Sequence, residues 1–186
     1  MTDPSSIALF SAAIAAKVAR ALDGALAGAI VRVGTPRPAE RGTSEAFVFL
    51  YRVSPSVSLR NADLPSRSGS GRAMLAPQAA LDLHYLVTFA SSEPFQVELM
   101  IGAAASALHA APLFTAGEMR LAATACGLPA TVADFGAQRP PALQAESLGA
   151  DECLRLTAAL PQPPGPFVAY CLPGLLLDAS GPTPVA

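Results

Sequence analysis

The chain has 186 residues and a formal net charge of −2, so it can build a sizeable core but lacks the positive surplus of a phosphate-neutralising nucleic-acid binder. Hydrophobic residues make up 52% and charged residues 14%, yet no apolar run approaches the ~20 residues of a membrane span. A surface so poor in solvated groups fits either cover by neighbouring subunits or a compositional bias towards alanine.

The first residues, MTDPSS, carry no basic group ahead of the apolar stretch, so no secretory signal is read and folding in the cytoplasm is expected. Asp3, Pro4, Ser5 and Ser6 give a helix start signal. Ile7, Phe10, Ile14, Val18 and Leu22 then recur at helical spacing as one apolar stripe. Lys17 and Arg20 fall towards its C-terminal end, where the helix dipole favours cations, and Gly24 and Gly28 end it. Ile30 to Val33 predicts a short strand, closed by Gly34, Pro36 and Pro38. Residues 46–53 predict a second strand with Phe47, Phe49, Tyr51 and Val53 on one face. Val48 and Leu50 make its other face apolar too, so cover on both sides is expected.

Residues 55–77 form a long connection whose tip, 66–72, is flexible by composition. Its first half mixes Leu59 and Leu64 with the turn formers Asn61 and Asp63. That pattern suits an arm reaching another subunit or an ordinary wide hairpin loop. Residues 77–89 are the central strand. Leu81, Leu83, Tyr85, Val87 and Phe89 alternate with Asp82, His84, Leu86 and Thr88, which gives one fully apolar face.

A second helix is expected next, capped by Ser91, Ser92 or Glu93 with Pro94 at its first position. Val97, Ile101, Ala104 and Leu108 are its stripe, His109 lies in its last turn, and Pro112 ends it. Thr115 and Glu118 form the T-x-x-E capping box of a third helix that stops at Gly127. Residues 131–139 read as irregular, 143–148 as a weak strand and 149–160 as a fourth helix. The proline run 161–166 is a rigid connection into a last strand, 167–177, which Pro173 and Gly174 must bulge or place at an edge.

The sum is an α+β fold, a mixed, mostly antiparallel sheet with helices packed on one face. Residues 1–178 make one domain containing the 55–77 loop, and 179–186 make a flexible tail. Cys126, Cys153 and Cys171 form no C-x-x-C pair and are expected as buried thiols. With His84 and His109 the only histidines, no metal site is expected.

Asp82 and His84, two apart on one strand, share a face and could act as orienter and base. No nucleophile on a recognisable turn accompanies them, and a polar strand face bonded across the sheet is the plainer reading. No phosphate-binding glycine motif occurs; Gly69, Ser70, Gly71 and Arg72 are only a flexible tip. Arg60, Arg67 and Arg72 are a loose basic cluster at most. No catalytic, cofactor-binding or metal residue is assigned, and the chain is not expected to be an enzyme.

LRNADLP (Leu59 to Pro65) and PQAALDLHYLVTF (Pro77 to Phe89), about a dozen residues apart, resemble the cap, or tail-terminator, proteins of extracellular contractile injection systems. These are phage-tail-like particles such as the antifeeding prophage. The resemblance continues through Leu108 to Leu113, Gly117 to Met119, Leu148 to Leu160 and Val168 to Tyr170. It implies a tail-terminator-like fold and a structural, non-enzymatic role. Such caps form a hexameric ring on the inner tube and contractile sheath, end their growth and anchor the sheath. The implied partners are other copies of the chain and the sheath and tube proteins, with no nucleic acid, membrane or small-molecule substrate. Assembly would be cytoplasmic, in a particle that can be released. Within that frame Arg60, Asn61, Asp63 and Leu64 are candidates for a subunit or sheath contact. An assembly chaperone for tube or sheath subunits is the alternative role. Two departures stand out: Thr157 occupies a position where the family often has tryptophan, and many relatives continue well beyond the last strand.

Overall fold

In this computed structural model, which describes residues 5–59, 78–133 and 141–178, the elements follow the order read from the pattern. They are α1 (Ser6–Ala25), β1 (Ile30–Val33), β2 (Ser44–Pro55), β3 (Gln78–Ser91), α2 (Gln96–Ala110), α3 (Ala116–Ala125), a 3₁₀ turn (Ala130–Ala133), β4 (Gln144–Glu146), α4 (Ala150–Ala159) and β5 (Phe167–Asp178). The strands form one sheet in the order β1-β2-β3-β5-β4. Among the described residues only β1 and β2 run parallel, and every other pair is antiparallel. The fold is α+β with a mixed, mostly antiparallel sheet.

β3 is central, and its odd-numbered face is the core. Leu83, Tyr85, Val87 and Phe89 are buried with Leu9, Phe10, Ile14, Val18 and Leu22 of α1, Met100, Ala104 and Leu108 of α2, and Met119 of α3. Leu81, at the end of the same face, is only partly buried. Buried aliphatic and aromatic side chains of this size are each worth about 1.5–3 kcal/mol before entropy is set against them. The Tyr85 hydroxyl meets Ser11 Oγ at 3.2 Å. Burial pushes its pKa up to about 12 against the opposing effect of the Ser11 bond, so the phenol stays neutral in the core.

Several expectations change. The register of β2 against β3 shifts between Leu50 and Arg52, so Arg52 stands across from His84 and Val53 across from Leu83. Val53 therefore does not share a face with Phe47 and Phe49, because a bulge breaks the period of two. Cover on both sides of β2 is real at its start, where Phe47 and Val48 are both buried.

α2 begins at Gln96, and Phe95 is its N-cap, in the left-handed region at φ 63°. Ser91, Ser92 and Glu93 do not cap it. Ser91 instead accepts from the Glu93 N–H at 3.0 Å and, with Ser44, donates to the Gln96 carboxamide oxygen. Lys17 and Arg20 are not end-of-helix cations, since α1 runs on to Ala25, and both reach across to Glu118 of α3. None of the three thiols is buried: Cys126 is exposed, and Cys153 and Cys171 are half-buried.

The capping box of α3 forms as predicted, with Glu118 N–H donating to Thr115 Oγ1 at 3.2 Å and Thr115 N–H to Glu118 Oε2 at 2.9 Å. The last strand bulges at Pro173 and Gly174, beyond the three residues (169–171) that pair with β4, so among the described strands it is flanked there by β3 alone. Gly174, at φ 73°, donates its N–H to Asp82 Oδ1 at 2.8 Å. A side chain there would be strained by the backbone itself.

Candidate functional site

α1, α2 and α3 all pack into the core on one face of the sheet. The other face carries the even-numbered residues of β3, and a polar cluster is built there. It draws Tyr51, Arg52 and Ser54 from β2, His84 from β3, Glu146 from β4 and Glu152 from α4. Cross-strand register explains the convergence: His84 stands opposite Arg52 on one side and Cys171 on the other, and Gln144 of β4 is also opposite Cys171.

His84 is 6% exposed. Its Nδ1 lies 2.9 Å from Glu146 Oε2 and its Nε2 lies 3.0 Å from Ser54 Oγ. A carboxylate only accepts, so the contact to Glu146 assigns a proton to Nδ1, although the Arg52 guanidinium also lies 3.1 Å from that nitrogen. Arg52 shares the same carboxylate, at 3.3 Å, and reaches Glu152 at 2.7 Å. The Tyr51 hydroxyl donates to Glu146 Oε2 at 3.2 Å. Burial, and then the Glu146 charge, push the Tyr51 pKa above its ordinary value, with Arg52 opposing. Cys171 is pushed up to about 11 by burial and by the Glu146 and Asp82 carboxylates, so its thiol is protonated and a poor nucleophile.

Serine, imidazole and carboxylate thus stand in the order of a hydrolytic triad. Two backbone positions just after the serine offer it no free amide. The residue after Ser54 is Pro55, which has no N–H to hold an oxyanion, and the Ser56 N–H is spent on Ala80 O at 2.9 Å. What the cluster does is tie β2, β3, β4 and α4 together with charge-assisted bonds. Among the described residues no group of three or more His, Cys, Asp or Glu gathers to hold a metal, and no helix is long and apolar enough to cross a membrane.

Sequence reasoning paired His84 with Asp82. The structure pairs it with Glu146, while Asp82 turns to the Gly174 amide. The only signal for Glu146 was its place in a weak strand, and β4 is just three residues long. Arg60, Asn61, Asp63 and Leu64 lie outside the described residues.

The Pvc16 N-terminal domain family matches residues 10–186, nearly the whole sequence. The chain belongs to that family. Its fold is shared with the sheath/tube terminator of an extracellular contractile injection system, PVC, in the extended state. That match has 17% identity and a TM-score of 0.52, and covers 92% of this chain and 60% of the other. It is also shared with the anti-feeding prophage cap, a tube-terminating cap. There the identity is 19%, the TM-score 0.54 and the coverage 91% of this chain and 57% of the other. The chain thus spans under two thirds of the length of either structure. At these identities the likeness establishes the fold. No curated protein matches the sequence.

Proposed function

We propose that this chain is the cap of a contractile injection system, ending the inner tube and sheath and anchoring them as a ring of six copies. The observation that carries this reading is a fold shared, over nine tenths of the chain, with two proteins whose work is to terminate such tubes. The role is structural, and the chain is not an enzyme. Its partners are further copies of itself and the tube and sheath proteins. It assembles in the cytoplasm into a particle that can leave the cell. Residues 1–178 act as one cap domain, with 179–186 as a tail. Arg60, Asn61, Asp63 and Leu64, in the long connection after β2, contact a neighbouring copy or the sheath.

Electron microscopy of particles assembled without this protein tests the reading. Tubes and sheaths of uncontrolled length are expected. Normal lengths would refute the cap, and a complete loss of tubes would assign the chain to assembly as a chaperone instead.

A further inference from the structure

Among the described residues the sheet has an open edge on each side. β1 is the outermost strand on one side and pairs only with Glu45 to Val48 of β2. Gly34 donates its N–H to Val48 O at 3.0 Å. Backbone groups alternate along a strand, so Arg32 also turns its N–H and C=O towards β2, while Val31 and Val33 turn theirs outwards. Val33 is 56% exposed, and the one charge on the strand, Arg32, is held by Glu45 at 3.1 Å. On the other side β4 pairs only with 169–171 of β5, so Leu175 to Leu177 have β3 as their one described neighbour in the sheet. Ala80 accepts from the Ser56 N–H at 2.9 Å and so faces β2; Leu176, across from Ala80, therefore turns its backbone groups away from β3. Sheets guard such edges with charges, prolines or bulges, because an open one pairs with any strand that fits. The part of β2 beyond β1 is guarded in this way, by the bulge between Leu50 and Arg52 and by Pro55. Neither β1 nor Leu175 to Leu177 carries a proline or a bulge.

The two open edges match each other. Within one copy β1 and β5 run the same way, because β1 is parallel to β2 while β2 and β5 are each antiparallel to β3. Their apolar faces agree as well. Val33 stands across from Val48, a core residue, and Leu177 packs against the same core. The edges lie at opposite corners of the sheet, β1 level with the 87–90 end of β3 and Leu175 to Leu177 level with residues 79–81. A sheet that closes into a ring has tilted strands in staggered register, so it joins edges that are offset from one another.

We propose that β1 of one copy pairs in parallel with Leu175 to Leu177 of the next, so that the sheet runs on from copy to copy. Val31 and Val33 exchange backbone bonds with Leu176, and Val33 and Leu177 continue the apolar face across the seam. The occupant of each edge is a second copy because a ring contact joins two different patches on opposite sides of one chain, and these edges are such a pair. The assignment rests on the ring of the cap reading and gives it its contact.

Cross-linking tests it. A chain carrying Val33→Cys is mixed with one carrying Leu177→Cys, both with Cys126, Cys153 and Cys171 replaced by alanine, and treated with a short bis-maleimide. The mixture should give roughly tenfold more covalent dimer than either chain alone, since pairing raises the effective concentration of one thiol around the other. Adding Leu176→Pro to the second chain removes an outward N–H and leaves the ladder to β3 intact. It should abolish the excess while circular dichroism shows the chain still folded. No excess in the mixture, or an excess that survives Leu176→Pro, would overturn the seam even where particles lacking the chain have tubes of uncontrolled length. An excess that Leu176→Pro abolishes, in a chain whose loss leaves tube lengths normal, would support the seam and refute the cap.

Discussion

Lys17 is the residue with the most to lose in this fold. It is 7% exposed, with its ammonium 3.1 Å from Glu118 Oε1, donating to Ala111 O at 3.1 Å and standing 5.2 Å from the Phe114 ring centroid. Burial pushes the Glu118 carboxyl up, but the Thr115 N–H, the Lys17 ammonium and the Thr115 hydroxyl together hold it at about 2. A folded pKa below the ordinary carboxylate value gives stability that is complete above that value and fades as pH falls towards about 2. Glu118→Gln leaves a buried ammonium without its counter-charge and should lower stability by about 3 kcal/mol near neutral pH. It should also flatten the acid limb of the stability curve, read by urea unfolding between neutral and strongly acidic pH. Phe95 makes the opposite prediction. It sits at φ 63° and is 78% exposed, so the chain bears the strain and buries little in return. Phe95→Gly should raise the stability of the isolated protein by about 1 kcal/mol, measured in the same way. The capping box of Thr115 and Glu118 was legible because its two members are three residues apart. The bond from Glu118 back to Lys17 was not, because no local spacing encodes it.

Among the elements, β3 and its apolar face could be read directly, since strict alternation leaves one arrangement that buries Leu83, Tyr85, Val87 and Phe89 together. β2 misled for a physical reason: the bulge at Leu50/Arg52 adds a residue, and every later side chain changes face. Without that shift Arg52 would not meet His84, so the polar cluster was hidden along with it. The proline run before β5 was read as rigid, and Gly165 shows how closely it is fitted. A Cβ there would stand 2.3 Å from the Phe89 carbonyl oxygen, beside the bond from Phe89 N–H to Pro166 O at 3.1 Å. Gly165→Ala should destabilise the protein by about 1–3 kcal/mol in chemical unfolding, as overpacking does. A silent substitution would show that the run gives way freely. α4 is the contrasting case. It buries none of its residues, and Glu152, bonded to Arg52, ties it to the sheet. Its amides should exchange hydrogen much faster than those of α1, whose buried stripe makes it part of the core. Equal protection of the two helices would mean that α4 unfolds only with the whole domain.

At the scale of the molecule, the sparse charge and the exposed apolar side chains point the same way. Charged residues are 14% of the sequence, where a soluble domain has about 25%. Large apolar side chains are exposed on separate elements: Val33 on β1, Leu99 on α2, Leu121 on α3 and Leu154 on α4. Any one of them is ordinary. Together, on a molecule with a formal charge of only −2, they leave little electrostatic means either of holding copies together or of keeping them apart. Contacts between copies in the proposed ring should therefore be mainly apolar. Mass photometry or sedimentation of the purified chain should show an association that changes little between roughly 0.05 and 0.5 M salt, a range over which surface ion pairs are strongly screened. The same association should weaken on cooling, because burial of apolar surface loses its driving force as temperature falls. Dissociation by salt would place ion pairs, not apolar side chains, at the contacts between copies, and would direct attention to the charged residues of the long connection after β2.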